Sequence, residues 1–135
     1  MIELINYTKF AFVDAKRLKL WVSSCVKNEG FFVNKISFFF ITDNELSSIN
    51  KEFLNHTTLT DIITFNYSKE NKLLCEIYIS SERIFENAID FSVTPENEML
   101  RVMIHGVLHC CGYNDKSDTE KLAMTKQENF YISRY

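Results

Sequence analysis

The residues with the clearest chemical potential lie in one short stretch, HGVLHCCGYND, at residues 105–115. His105 and His109 are four residues apart, so on a helix both rings project from one face, one turn from each other. Gly112 allows a left-handed backbone conformation, which lets the chain double back and bring Asp115 to the same place. Two imidazoles and one carboxylate are a donor set used by catalytic zinc-type sites, which keep a further position for water. The spacing HxxxHxxGxxD therefore predicts a metal site formed by His105, His109 and Asp115.

A histidine pair at this spacing also has a simpler interpretation, as the capped, solvent-facing end of a core helix. The added glycine and acid favour a metal site over this interpretation. Metal-dependent proteases with similar spacing carry a glutamate directly after the first histidine, where it takes a proton from the zinc-bound water. The chain has Gly106 at that position. This argues against peptide hydrolysis and leaves room for a phosphodiester backbone near the cation.

Cys110 and Cys111 follow the second histidine directly. Adjacent residues point in different directions on a helix, so the two thiols cannot both join the same cluster. Free cysteine mostly behaves as a small apolar residue, and we expect both to pack in the core rather than to act in redox or nucleophilic chemistry. The chain has four cysteines and no CxxC pair, so we expect all of them to be reduced.

The metal motif is embedded in alternating strand and helix signals, which predict an α+β or α/β fold. The central helix begins after Thr94, has Pro95 at its first position and ends at Gly112. The other predicted helices begin near Asp14, near Thr42 with an end near Leu54, at Ser80 or Ser81, and at Ser117, which has capping-box spacing to Glu120. The predicted strands are residues 1–7, 35–41, 61–67 and 72–80, the last two joined as a hairpin.

Composition limits the class of protein. The chain has 135 residues, of which 46% are hydrophobic, with 12 Phe and one Pro; this predicts a single folded domain over residues 1–135. No apolar run approaches the roughly 20 residues that cross a bilayer, and the N-terminal stretch lacks a signal-peptide layout, so we expect a cytoplasmic protein without membrane contact. The net charge of -3 argues against a surface coated with basic patches but is compatible with a local basic groove that follows a phosphate backbone.

The stretch HGVLHCCGYND closely resembles the signature of the YbeY endoribonucleases, HGxLHLxGYDH. Residues 45–67, ELSSINKEFLNHTTLTDIITFNY, are similar to the family's LN…TDVLSF segment. Residues 75–88, CEIYISSERIFENA, are similar to its GDIxIS…A segment. Because the three segments occur in the family's order across residues 45–115, the chain is identified as a member of this family.

The resemblance implies a cytoplasmic, metal-dependent, single-strand-specific endoribonuclease that acts in ribosomal RNA maturation and ribosome quality control. The implied partners are single-stranded RNA and the ribosome or its small subunit. The implied fold is α+β, a small mixed sheet packed with helices around a central metal-bearing helix. The implied cofactor is one zinc ion per chain, or another divalent metal, held by His105, His109 and Asp115, with both histidines as catalytic residues.

Asp61 matches the acid of the family's TD pair and is a further candidate catalytic residue. It could orient a ligand histidine through the second ring nitrogen. A strand-capping or turn acid is the alternative interpretation of Asp61.

The chain departs from the family pattern at the site itself. Asp115 stands where most members have histidine, which makes the formal charge of a divalent site less positive. Leu54 aligns with a family arginine implicated in activity, so a guanidinium that could hold phosphate is missing. His56 is a candidate substrate-binding replacement, with a solvated loop histidine as the alternative. A metal-dependent peptidase and a noncatalytic ribosome-associated factor with a structural metal therefore stay open beside the nuclease.

Overall fold

Four strands form a mixed sheet in the computed structural model, which describes residues 1–53 and 61–135. The strands are β1 (Ile2–Ile5), β2 (Phe32–Ile41), β3 (Ile62–Asn66) and β4 (Lys72–Ser80), in the order β1-β2-β4-β3. β2 pairs in parallel with both β1 and β4, whereas β3 pairs antiparallel with β4. β3 therefore lies at one end of the sheet order, and Asp61 directly precedes it.

One face of this sheet carries the core. Successive side chains of a strand point to opposite faces, and the pairing of β2 with β4 aligns two buried rows: Ile36, Phe38 and Phe40 beside Cys75, Ile77 and Ile79. Helices α1 (Ala15–Asn28) and α4 (Pro95–Cys110) contribute apolar side chains to the same buried cluster. The sheet therefore supports α4, the helix that carries the metal motif.

The remaining helices are α2 (Asp43–Phe53), α3 (Ser81–Asp90) and α5 (Asp118–Ile132). The Thr94 hydroxyl accepts a hydrogen bond from the main-chain NH of Asn97 at 3.0 Å, and Ser117 forms the expected capping box with Glu120. These caps confirm the predicted helix starts, because an N-cap side chain satisfies a donor that the helix leaves unpaired. Within residues 1–53 and 61–135, none of the helices has the length and apolarity needed to cross a membrane.

The fold is α+β with a small mixed sheet, as expected, but some boundaries differ from the predicted ones. β1 ends at Ile5 because Asn6 has a φ of 61°, which takes the chain out of the extended conformation. A short 3-10 helix at Thr8–Phe10, which the sequence pattern does not indicate, follows it. β2 begins at Phe32, before the predicted start at residue 35. The predicted end of α2 near Leu54 lies outside the described residues.

Gly106 lies against the sheet. A Cβ atom at this position would be 2.8 Å from Ile62 Cδ1 and 3.0 Å from Ile77 Cγ2. The missing side chain therefore allows α4 to pack closely on β3 and β4. The expectation that Gly106 makes room for substrate beside the cation is wrong, because a side chain at this position would point into the core.

We expect Gly106→Val to lower the free energy of unfolding by about 1–3 kcal/mol, because added methyl groups overpack a filled core. Helix propensity offers little compensation, since valine is itself a poor helix former. Urea denaturation of the variant and the wild type measures the change. Thr125→Val, at an exposed position of α5, is the control with little expected effect; equal stability of the Gly106 variant and the wild type would contradict the packing role.

Candidate metal centre

His105 and His109 lie near the C-terminal end of α4, and their rings meet at one place on its surface. The two Nε2 atoms are 3.0 Å apart, and the ring planes are nearly perpendicular, at 83°. The side chains are 23% and 28% exposed, respectively. Both rings are therefore fixed by their surroundings yet remain reachable from solvent. The predicted common face of the two histidines is confirmed.

Asp115 reaches the histidines because the chain reverses sharply after α4. Gly112 has a φ of 103°, a conformation that strongly favours glycine. Its main-chain NH bonds to the carbonyl of His109 at 3.0 Å, and the NH of Tyr113 bonds to the carbonyl of Leu108 at 3.0 Å. These two bonds form a Schellman motif, which closes the helix and redirects the chain. The predicted role of Gly112 is confirmed.

The distances among the three donor atoms fit a metal ion. Oδ2 of Asp115 lies 3.3 Å from Nε2 of His105 and 3.4 Å from Nε2 of His109. In a tetrahedral zinc site, metal–ligand distances of about 2.0–2.1 Å place neighbouring ligand atoms about 3.3–3.4 Å apart. Within the described part of the chain, no other group of three histidine, cysteine or acidic side chains converges in this way. The residues predicted as ligands thus form a group that could hold a metal.

The second nitrogen of each ring is held by the protein. Nδ1 of His105 lies 2.7 Å from Oε2 of Glu128, and Nδ1 of His109 lies 2.9 Å from the main-chain oxygen of Tyr113. Each contact gives the Nδ1–H an acceptor and leaves the Nε2 lone pair for a cation. Glu128, on α5, is only 6% exposed and also accepts a hydrogen bond from Nη1 of Arg101 at 3.0 Å.

The charges around His105 favour a cation. Burial favours the neutral ring and lowers the pKa of His105, but the hydrogen bond and charge of Glu128, together with the charges of Asp115 and Asp61, outweigh burial and raise the pKa overall. The same negative charges that favour a proton on this ring also favour a divalent metal ion beside it.

Asp61 directly precedes β3, and its main-chain oxygen accepts a hydrogen bond from the NH of Ser80 at 3.1 Å. Its charge acts on His105 and raises the pKa of that ring. The Nδ1 atoms of His105 and His109 are bonded to Glu128 and Tyr113 instead. The predicted contact of Asp61 with the second nitrogen of a ligand histidine is therefore wrong, whereas a role for Asp61 in catalysis stays a prediction.

Two residues that the sequence comparison singles out lie where the structure describes no residues. His56, the candidate substrate-binding residue, and Leu54, which replaces the family arginine, both lie outside the described ranges. The proposed contact of His56 with substrate stays a prediction.

Glu128 is the site residue that sequence reasoning missed. The signal is its place on the helix: Met124, Glu128 and Tyr131 are buried residues of α5 with spacings of four and three. An acid on the buried stripe of a helix needs a partner, because an unpaired buried charge is strongly unfavourable. Here the partners are His105 and Arg101.

Cys110 and Cys111 do not join the metal group. Cys110 is buried in the core and Cys111 is half-buried against it. A hydrogen bond with Cys75, together with burial, raises the pKa of Cys110, and burial raises the pKa of Cys111 to about 12. Both thiols are therefore held protonated. The predicted packing role of the two residues is confirmed.

The fold and the site together define a class of protein. A half-buried group of two histidines and one aspartate, on a helix supported by a mixed sheet, is the kind of centre that metal-dependent hydrolases use. A family model described as endoribonuclease YbeY matches residues 4–135. The chain belongs to the endoribonuclease YbeY family.

Similar proteins extend over most of the chain. Endoribonuclease YbeY of Flavobacterium psychrophilum is 51% identical over 109 residues, which cover 81% of this chain and 78% of that protein. Endoribonuclease YbeY of Flavobacterium johnsoniae is 39% identical over 135 residues, covering 100% of this chain and 97% of that protein. The solution structure of TM1509 from Thermotoga maritima has a TM-score of 0.71 at 29% identity, covering 98% of this chain and 87% of that one.

Proposed function

We propose that this chain is a metal-dependent endoribonuclease that cuts single-stranded RNA in ribosomal RNA maturation and ribosome quality control. The observation that carries the proposal is the convergence of His105 Nε2, His109 Nε2 and Asp115 Oδ2 within 3.0–3.4 Å of one another. Membership of the endoribonuclease YbeY family supports RNA as the substrate. Zinc is the proposed metal, because two imidazoles and a carboxylate suit it.

The three donor residues would hold the cation, and the surrounding residues prepare them for it. Glu128 and the Tyr113 carbonyl fix the Nδ1–H of His105 and His109, respectively, so that both Nε2 atoms face the same place. Asp115 contributes negative charge to the donor set. When bound, a divalent cation supplies a Lewis acid that polarises a phosphoryl oxygen and lowers the pKa of water. The half-buried position of the rings strengthens their electrostatic interactions while keeping the site open to a polymer.

The peptidase alternative loses support from the position of Gly106. A protease of similar spacing needs an acid at this position, next to its first histidine, to serve as proton acceptor and donor. Here a Cβ at position 106 would contact Ile62 and Ile77 in the core. The noncatalytic alternative is supported by Leu54 in place of an arginine, and it predicts a folded, metal-containing protein without turnover.

We further propose that residues 1–135 form one domain, that the protein works in the cytoplasm, and that its partners are the ribosome or its small subunit. These proposals follow from the family resemblance and from the composition of the chain. Sedimentation of the protein with purified small subunits tests the partner directly. Failure to co-sediment at low salt would contradict that part of the proposal.

To test the activity, one zinc-loaded preparation of the protein is incubated with three different substrates. An end-labelled single-stranded RNA should be cut, whereas the same strand annealed to its complement and a labelled peptide should stay intact. Equal cleavage of both RNA forms would contradict the single-strand preference. Cleavage of the peptide alone would support the peptidase, and no cleavage of any substrate would support the noncatalytic factor.

A further inference from the structure

Glu29 is far in sequence from the three donor residues but is connected to them through Tyr113. Glu29 follows the last residue of α1 and is half-buried. Its Oε1 accepts a hydrogen bond from the hydroxyl of Tyr113 at 2.9 Å. Its Oε2 accepts hydrogen bonds from Nε2 of Gln127, at 2.8 Å, and from the hydroxyl of Tyr131. Glu29 therefore links the C-terminal end of α1, the chain after α4, and α5.

Tyr113 contacts the metal group through its main chain and Glu29 through its side chain. Its main-chain oxygen accepts the hydrogen bond from Nδ1 of His109 at 2.9 Å, and its side-chain hydroxyl bonds to Glu29. It also lies between Gly112, where the chain reverses, and the donor Asp115. A single residue thus fixes one ring and the segment that supplies the third donor atom.

We propose that Glu29 is a positioning residue for the metal centre and acts through the hydroxyl of Tyr113. The inference rests on the proposed metal-dependent function. Residues that orient metal ligands commonly affect metal affinity, because a ligand that is already in place loses less freedom on binding. Glu29 anchors the far end of Tyr113, so the carbonyl that holds His109 and the chain leading to Asp115 stay in place before metal arrives.

The hydroxyl of Tyr113 remains a donor under ordinary conditions. Burial, followed by the hydrogen bond and the charge of Glu29, raises the pKa of Tyr113 to about 12. The pair is therefore a neutral phenol bonded to a carboxylate, and such charge-assisted hydrogen bonds are stronger than neutral ones.

A second hydrogen bond to Glu29, from Tyr131, offers a control variant that tests whether Glu29 only stabilises the fold. The Tyr131 hydroxyl bonds to the same carboxylate and also accepts a hydrogen bond from Nδ2 of Asn28 at 2.9 Å. It accepts a third hydrogen bond from Nε2 of Gln127 at 3.4 Å, and none of these three contacts involves a donor residue of the metal group. Tyr131→Phe therefore removes a bond to Glu29 of the same kind as Tyr113→Phe does, without touching the chain segment that carries Asp115.

The experiment measures zinc affinity by competition with a chromophoric chelator, and thermal stability on the same samples. Tyr113→Phe keeps the ring and the carbonyl and should weaken zinc binding about 3–10-fold, less than the roughly 10–100-fold typical of a residue that bonds a ligand directly. Glu29→Ala should weaken it by a similar factor. The zinc affinity of the double variant should equal that of whichever single variant binds zinc more weakly. Both changes break the same hydrogen bond between Glu29 and Tyr113, so their effects should not add. Tyr131→Phe should lower the melting temperature and leave zinc affinity unchanged.

Wild-type zinc affinity in Tyr113→Phe would overturn the inference alone. An equal loss of affinity in Tyr131→Phe would also overturn it, because it would show a general effect of stability. Additive losses in the double variant would also contradict action through Tyr113. Failure of the wild-type protein itself to bind zinc, nickel or manganese would overturn the proposed function and this inference together.

Discussion

We expect the His109→Ala protein to fold, to bind zinc more than about 100-fold more weakly than the wild type and to cleave RNA about 10²–10³-fold more slowly. The reason is the loss of one of three donor atoms that lie within 3.0–3.4 Å of one another. A cation contributes several kcal/mol to stabilising charge in the transition state, and each 1.4 kcal/mol corresponds to about tenfold in rate. We expect folding to survive because the His109 ring is partly exposed and its removal leaves little cavity.

The variant and the wild type are purified in parallel, with circular dichroism to confirm that both are folded. Parallel preparation controls for a contaminating nuclease. Equal cleavage by the two proteins would show that the activity does not arise at this group. If His109→Ala does not fold, Asp115→Asn takes its place in the comparison, because asparagine keeps the size of the side chain and removes its charge.

Glu128→Gln should weaken zinc binding by about 10–100-fold, the usual effect of changing a residue that orients a metal-bound histidine. Glutamine keeps the shape of the side chain and can still accept a hydrogen bond from His105, so the variant mainly removes charge. The lost charge matters because Glu128 is buried and lies 2.7 Å from Nδ1 of His105. Zinc affinity is measured by competition with a chelator of known affinity.

Asn129→Ala is the matched control for Glu128→Gln. Nη2 of Arg101 donates a hydrogen bond to Oδ1 of Asn129 at 2.8 Å, so this change disturbs the same arginine without contacting His105. The control should keep wild-type zinc affinity. An equal loss in both variants would indicate that the interface of α4 with α5, rather than the orientation of His105, determines affinity.

The sequence predicts features that depend on nearby residues. Thr94 and Ser117 cap their helices through bonds to residues three positions along the chain, so their roles follow from local spacing. The donor group is predictable for the same reason, because a helix fixes His105 and His109 on one face and Gly112 allows the reversal to Asp115.

Features that depend on how the elements pack are not predictable in this way. Glu128 is 23 residues from His105 and Glu29 is 84 residues from Tyr113, so both contacts exist only after helices are placed against one another. The packing of Gly106 is also not predictable from local spacing, because the rotation of α4 against β3 and β4 decides whether this position faces the core or the cation. The strand order also requires knowledge of which strands pair across long separations.

In the proposed function, one metal ion at His105, His109 and Asp115 is responsible for RNA cleavage. The most direct measurement removes metal from the wild-type protein with a chelator, removes the chelator, and follows cleavage of a single-stranded RNA as zinc is added back. We predict no cleavage without metal and a rise in rate that stops at about one zinc ion per chain. Undiminished cleavage by the metal-free protein would contradict a role of the metal ion in RNA cleavage.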